Sequence, residues 1–158
     1  MIGFNLPEHS RVLGEACGHP FDPYNDQSIA RLGNEDGRLI GGVIFSDYCI
    51  ASVQVHCAGF SPNWLSKNLL ALTFDYAFVQ LKCNKLVALV KSSNQKALAL
   101  DLNLGFTHET TVSNVYPDAD LFILTMQRSR CRYLGGNWPR IAIEAARGAL
   151  AVKLPGRE

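Results

Sequence analysis

Residues 92–106 constrain the fold of this chain more than any other segment. The segment opens with Ser92, Ser93 and Asn94, whose side-chain oxygens can accept hydrogen bonds from the open amides of a first helical turn. Alanine and leucine fill most of the next ten positions. Gly105 stands where a helix ends, because glycine adopts the left-handed conformation without a Cβ penalty. The segment therefore predicts a short, strongly apolar helix with a defined start and end.

Strands are predicted on both sides of this helix and further upstream. The apolar run 85–91 precedes the helix, and the polar, strand-like run 107–112 follows it. In residues 50–58, Val53, Val55 and Cys57 alternate with Gln54 and His56, which is the period of a strand. Strand, helix and strand therefore succeed one another in the middle of the chain.

A second, longer helix is predicted between these strands. Residues 64–81 carry apolar side chains at positions 65, 69, 72, 76 and 79, a spacing typical of one helical face. The other elements expected are a helix at 8–17, a hairpin of strands 28–32 and 38–47, and a last strand at 121–126. Such an order predicts an α/β fold of three layers, α/β/α, with a mixed, mostly antiparallel central sheet.

The arrangement of strand, Asn94, short helix, Gly105-Phe106 and strand resembles the C-terminal half of the GNAT superfamily, the acyl-CoA-dependent N-acyltransferases. The resemblance covers roughly residues 8–128. The chain as a whole is similar to GNAT-like proteins encoded by phages and prophages. It implies an acyltransferase domain over 1–128, acetyl-CoA as co-substrate, and a primary amine of a protein or small molecule as acceptor. Residues 129–158 form a basic tail beyond this domain, with a helix predicted at 141–150.

The resemblance also implies where the coenzyme is held. The strand at 52–58 would bind the pantetheine arm, and the loop at 59–66 would hold the pyrophosphate on open amides at a helix start. This loop departs from the family pattern, because it has no glycine after Gly59 and no arginine. The coenzyme-binding residues that follow are Val55, Cys57, Phe60, Ser61, Asn63, Trp64, Leu65, Ser66, Asn94 and Leu98.

Three residues are candidates for proton transfer. His56 lies on the central strand and titrates near neutral pH, which suits a general base. The family's usual acid is a tyrosine four residues before the glycine of Gly-Phe, and Asp101 occupies that position here. We expect Asp101 to be a solvated helix residue, since acid catalysis by it would require burial to raise its pKa. Tyr116, in the loop before the last strand, is the alternative acid.

The charge, hydropathy and cysteine content of the chain restrict the classes of partner and the cellular compartment that we expect. The formal charge of +1 gives no general attraction to nucleic acid or to a membrane surface. No apolar run approaches the roughly 20 residues that span a bilayer, and residues 1–8 lack the pattern of a signal peptide. Five cysteines, none at metal-ligand spacing, indicate free thiols in a reducing cytoplasm and no metal site.

Two questions stay open at this level. The tail helix either packs on the domain or offers Ile141, Ala145 and Leu150 to a partner, for which a homodimer is one candidate. The variant loop and the missing tyrosine leave an alternative function, a catalytically inactive GNAT-fold protein that acts in binding or as a virion-associated interaction protein.

Overall fold

The structure, a computed structural model, describes residues 1–152 and consists of one seven-stranded sheet with helices on both faces. Residues 153–158, the end of the predicted tail, lie outside the described residues. The strands are β1 Ile2–Phe4, β2 Gln27–Leu32, β3 Leu39–Ser46, β4 Ser52–Gly59, β5 Lys85–Lys91, β6 Thr107–Tyr116 and β7 Ala119–Gln127. The helices are α1 Pro7–Cys17, α2 Lys67–Asp75, α3 Gln95–Leu104 and α4 Arg140–Ala146.

The strands are ordered β1-β2-β3-β4-β5-β7-β6 across the sheet. β4 and β5 are parallel, whereas all the other neighbouring strands are antiparallel. The single parallel pair arises because α2 crosses over between β4 and β5. The predicted mixed, mostly antiparallel α/β fold is therefore confirmed.

Each face of the sheet is covered by its own apolar cluster. On one face, Leu13 of α1 packs against Ala30, Leu32 and Ile44. The opposite face holds the larger cluster, in which residues of α2 such as Leu69 and Phe74 join Val43, Val53 and Leu86 from the strands. Side chains of α3 and of the tail pack against this second cluster. The molecule thus has the predicted three layers, and α1 is the one helix of the described residues on its face.

The short helix α3 has the predicted start and end. The side chain of Asn94 accepts a hydrogen bond from the Ala97 amide at 3.1 Å, and Gly105 is left-handed with φ 110°. The prediction for α2 was wrong at its start. Ser66, not Trp64, precedes the helix, and its side chain accepts from the Leu69 amide at 3.1 Å. Past α2, residues 76–80 form a π-helical turn.

Strand β1 was missed, because three residues are too few to show a period. It pairs with β2, and the α-amino group of Met1 donates to the Leu32 carbonyl at 3.0 Å. Strands β6 and β7 also extend beyond the predicted 107–112 and 121–126. Within the described residues, no helix combines the length and apolar character needed to cross a membrane.

The described part of the tail packs on the face that carries α2. Tyr133, Ala146 and Leu150 are buried in the larger cluster, and the Tyr76 hydroxyl donates to the Ala151 carbonyl at 2.6 Å. The predicted apolar face of the tail helix is only partly right. Leu150 is buried, but Ile141 is 85% exposed and Ala145 is also exposed.

Candidate functional site

Strands β4 and β5 separate after a short paired stretch. They pair only from Ser52 with Lys85 to Gln54 with Val87, although β4 continues to Gly59 and β5 to Lys91. The two strands diverge at the centre of the sheet, so an opening forms between them.

The backbone of β4 faces this opening with alternate residues. Directly after β4, the Phe60 amide donates to the Ile40 carbonyl of β3 at 2.8 Å, which marks these two residues as a hydrogen-bonded pair. Because such pairs alternate along antiparallel strands, His56 bonds to Ile44 of β3. The N–H and C=O groups of Val55 and Cys57 therefore point away from β3, toward the separated β5. They can form hydrogen bonds to an extended ligand lying in the opening.

A cavity of about 200 Å³ occupies the opening and is lined by residues from both faces of the sheet. Most of its wall is apolar, with side chains from α2, α3, β4 and β5. The polar and titratable residues that line it are Cys17, His56, Cys57, Thr73, Lys91, Asn94, Asp101 and Tyr116. All three residues predicted for proton transfer therefore border one cavity.

His56 sits within a network of polar side chains on the α1 face. One of its ring nitrogens, Nε2, lies 2.8 Å from the Ser46 hydroxyl. Its ring stacks on that of His19, with centroids 4.2 Å apart and planes at 9°. His19 in turn lies 2.8 Å from the buried carboxylate of Asp26. Burial, together with the charge of His19, lowers the pKa of His56 to about 4, against the opposing effect of Asp47.

Asp101 is buried, contrary to the expectation that it is a solvated helix residue. Only 7% of its surface is exposed, because this side of α3 packs toward the sheet. Burial alone raises the pKa of the carboxyl to about 6. Asp101 therefore keeps its proton to a higher pH than an exposed aspartate, which is the property that acid catalysis by it requires.

Tyr116 ends β6 instead of lying in a loop, and its ring borders the cavity. The Lys91 ammonium lies 5.2 Å from the centre of that ring and pairs with Asp118 at 2.9 Å. The turn between β6 and β7 is thereby tied to the end of β5, and Tyr116 is held at the edge of the opening.

The loop between β4 and α2 is shaped by Trp64. Its indole lies against Gly41 and Gly59, and a Cβ at either position would overlap with it. The indole therefore packs down on the sheet, although it also borders the cavity. The Arg31 guanidinium of β2 donates to the Asn63 carbonyl and ties the loop to the sheet.

The residues predicted to bind the coenzyme fall into two groups. Those that line the cavity are Val55, Cys57, Trp64, Leu65 and Asn94. Those outside its lining are Phe60, Ser61, Asn63, Ser66 and Leu98. Apart from Leu98, which packs in the core, the second group belongs to the loop before α2. Burial raises the pKa of Cys57 to about 12, so its thiol is not a nucleophile near neutral pH.

Four residues near the site were missed or left unassigned at the sequence level: Cys17, Arg31, Ser46 and Asp47. Ser46 touches His56 across ten positions of sequence, and Arg31 reaches Asn63 across thirty-two. No local pattern marks such pairs, because they meet only when the strands align. Among the described residues, no group of three His, Cys, Asp or Glu side chains is arranged to hold a metal ion.

No protein-family model matches the chain, and no curated protein matches it. Several solved structures are similar to the chain. One is the spermidine N-acetyltransferase from Vibrio cholerae in complex with CoA and spermine, with a TM-score of 0.57 and 21% identity, over 70% of this chain and 69% of that one. The spermidine/spermine N-acetyltransferase SpeG from Vibrio cholerae, in complex with manganese ions, gives a TM-score of 0.61 at 16% identity, over 82% of this chain and 92% of that one.

A third solved structure, of a probable acetyltransferase, gives a TM-score of 0.54 at 17% identity, over 66% of this chain and 62% of that one. At these identities, the likeness concerns the path of the backbone.

Proposed function

The chain has the GNAT fold, and from this premise we propose that it is an N-acetyltransferase, which moves an acetyl group from acetyl-CoA to a primary amine. The observation that carries the proposal is the cavity between β4 and β5, whose titratable lining residues include His56 and Asp101. Their pKa values are shifted in opposite directions, and such pairs are typical of acid–base sites.

The residues present fit acetyl-CoA as co-substrate. The outward-facing amides and carbonyls of Val55 and Cys57 suit the extended pantetheine arm, and the apolar wall suits its methylene groups. The cavity, at about 200 Å³, is smaller than the roughly 300–1,000 Å³ of a site for a drug-sized ligand. The nucleotide part would therefore lie outside it, over the loop before α2.

The start of α2 suits the pyrophosphate. The first helical hydrogen bond runs from the Leu70 amide to the Ser66 carbonyl, so the amides of Lys67 and Asn68 precede it. Open amides and the helix dipole favour an anion at this position. The cations of Lys67 and Arg31 belong to the same region and add to this attraction.

When bound, acetyl-CoA supplies the thioester carbonyl that the amine attacks and the thiolate that leaves. A backbone N–H of β4, from Val55 or Cys57, polarises the carbonyl oxygen. His56, neutral above pH 4, accepts the proton of the attacking amine. Asp101, or Tyr116 as the alternative, protonates the leaving sulfur. One C–N bond forms, one C–S bond breaks, and two protons change place.

The acceptor is a primary amine, of a small molecule or of a protein. The related fold of spermidine N-acetyltransferases supports a small polyamine as the first compound to try. A lysine side chain or a protein N-terminus presents the same nucleophile, so a lysine-containing peptide belongs in the same screen. The rate of acetylation of each acceptor is measured from the release of coenzyme A.

The first test is isothermal titration of acetyl-CoA into the protein. We expect micromolar binding, and we expect Ala97→Trp to abolish it because Ala97 lines the cavity. Leu102→Trp is the matched control, since Leu102 lies on the same helix but is 47% exposed. If no binding is detected up to millimolar acetyl-CoA, the proposed enzymatic function is overturned. The alternative, an inactive GNAT-fold interaction protein, is then favoured.

A further inference from the structure

Asp47, directly after β3, forms a continuous row of hydrogen bonds with Ser46 of β3 and His56 of β4, and this row ends at the cavity. The Ser46 hydroxyl lies 2.8 Å from Oδ2 of Asp47 and 2.8 Å from Nε2 of His56. Ser46 is 2% exposed, whereas Asp47 lies at the surface. The row therefore connects an exposed carboxylate to the buried imidazole through a single hydroxyl.

The number of protons determines the direction of each hydrogen bond. A carboxylate only accepts, so the hydroxyl proton of Ser46 is donated to Asp47. The Ser46 oxygen can then only accept from His56, and the proton of the neutral imidazole must be on Nε2. The lone pair of the ring consequently resides on Nδ1, the nitrogen that the Ser46 contact leaves open.

The remaining neighbours hold the ring in place without reversing this assignment. His19 lies face to face with His56, so it restricts the ring plane but does not bond to either nitrogen of that ring. The Nε2 atom of His19 is engaged with Asp26, which also accepts from the Asp22 amide at 2.9 Å. The other titratable groups near His56 are Asp47 and those that share its cavity wall, namely Cys17, Cys57, Lys91, Asp101 and Tyr116.

We propose that Ser46 and Asp47 are positioning residues, which hold His56 in the tautomer whose Nδ1 accepts the proton of the attacking amine. The inference rests on the proposed function. During transfer the amine proton moves to Nδ1, while the Nε2 proton remains in its bond to Ser46. The imidazolium that forms is stabilised by the Asp47 carboxylate through the intervening hydroxyl. Asp47 is not protonated in this step.

The tautomer can be read without any substrate, by ¹⁵N NMR of the ring nitrogens of His56 near pH 7. We expect Nε2 to be protonated and Nδ1 unprotonated in the unaltered protein. Asp47→Asn should keep this pattern, because an amide oxygen still accepts from Ser46 and asparagine tolerates the φ of 50° at this position. Ser46→Ala should populate both tautomers. A proton found on Nδ1 of the unaltered protein would overturn the inference.

The catalytic consequence is read in kcat and its pH dependence. We expect Ser46→Ala to lower kcat about tenfold, a part of the whole effect of a general base, with the KM for the amine little changed. Ser46→Thr restores the hydroxyl and should recover most of this loss. Asp47→Asn should move the acidic limb of the profile to lower pH, because the Asp47 charge favours the protonated ring.

Glu35→Gln, which removes the same charge from the exposed β2–β3 turn, is the control for Asp47→Asn and should leave the limb in place. An unchanged kcat in Ser46→Ala and an unchanged acidic limb in Asp47→Asn would overturn the positioning role. A protein that binds acetyl-CoA but acetylates no amine would overturn the proposed function instead. The NMR measurement would still decide the tautomer.

Discussion

The two sides of the cavity hold their titratable groups in different ways. On the α1 face, His56 is part of strand β4 and is surrounded by the polar groups of Ser46, Asp47 and His19. On the other face, Asp101 projects from α3 toward the cavity and the apolar core, and burial is the one cause of its raised pKa. The same physical effect, exclusion of water, therefore acts on the polar network around His56 on one face and on the single carboxyl of Asp101 on the other.

The difference shows how one buried cavity can prepare a base and an acid together. Burial disfavours whichever form is charged, so it is the largest cause that lowers the pKa of His56 to about 4 and the cause that raises the pKa of Asp101 to about 6. In water the two groups lose their protons in the opposite order, because an aspartic acid is deprotonated at a lower pH than an imidazolium. Between pH 4 and 6 both groups are neutral, which is the state that accepts one proton at His56 and donates another at Asp101.

The largest effect is expected on the His56 side. Replacing His56 with glutamine removes the base but keeps a polar side chain beside Ser46, so kcat should fall roughly 10²- to 10⁴-fold. The affinity for acetyl-CoA, measured by titration, should stay the same. His108→Gln, on the exposed strand β6, is the matched control. Undiminished turnover in the His56 variant would remove this residue from the mechanism.

On the Asp101 side, a large effect is expected on stability. Its folded-state pKa is raised, so its favourable contribution is complete below the ordinary value of 3.8 and is lost as pH rises through about 6. Asp101→Asn carries no charge and should raise the free energy of unfolding at pH 8 by roughly 3 kcal/mol. Near pH 3 it should change little. Urea denaturation at both pH values measures this.

Glu35→Gln serves as the exposed control for this stability measurement and should behave alike at both pH values. An Asp101→Asn variant with no gain at pH 8 would mean that the carboxylate is well solvated. The contrast between the two sides of the cavity would then disappear.

A smaller effect distinguishes acid catalysis by Asp101 from a structural role. If the protonated carboxyl donates to the leaving sulfur, activity follows the protonated fraction, which drops about tenfold between pH 5 and pH 7 for a pKa of about 6. The ratio of unaltered to Asp101→Asn turnover should fall by this factor. Taking the ratio cancels the ionisation of the amine substrate. A flat ratio would transfer the acid role to Tyr116 or to water.

The smallest effect concerns Asn94, which begins the helix that carries Asp101. Asn94→Ala removes the hydrogen bond from the Ala97 amide and should cost about 1 kcal/mol of stability. Asn94→Asp keeps the acceptor oxygen but loses the amide donor. If Asn94 also reaches the pantetheine arm, only the affinity for acetyl-CoA should weaken in Asn94→Asp. An equal affinity for acetyl-CoA in the unaltered protein and in Asn94→Asp would limit Asn94 to its helix-capping role.

Much of the fold could be predicted because it rests on local signals. The alternation in β4 placed His56 and Cys57 on opposite faces of the sheet, as the pairing with Ile44 and Val43 shows. The start of α2 was misplaced because the apolar spacing begins at Leu65, next to Trp64, yet the Trp64 indole packs on Gly41 and Gly59 instead.

The candidate site was predicted only in part. Counting back from Gly105 selected Asp101, but its burial could not be foreseen, since a lone aspartate in an apolar helix is usually solvated. The row from Asp47 to His56 was missed altogether. Ser46 and His56 lie on different strands, and their contact depends on the register of β3 against β4.

By itself, the sequence determined the elements that depend on neighbours in the chain: the periodicity of the strands, the capped helix at Asn94 and the left-handed end at Gly105. Only the tertiary structure decided that β4 and β5 separate after three residue pairs. That separation creates the cavity, and the packing around it removes His56 and Asp101 from water. The physical reason is that backbone conformation responds to nearby residues, whereas burial and the resulting pKa depend on groups that are distant in sequence.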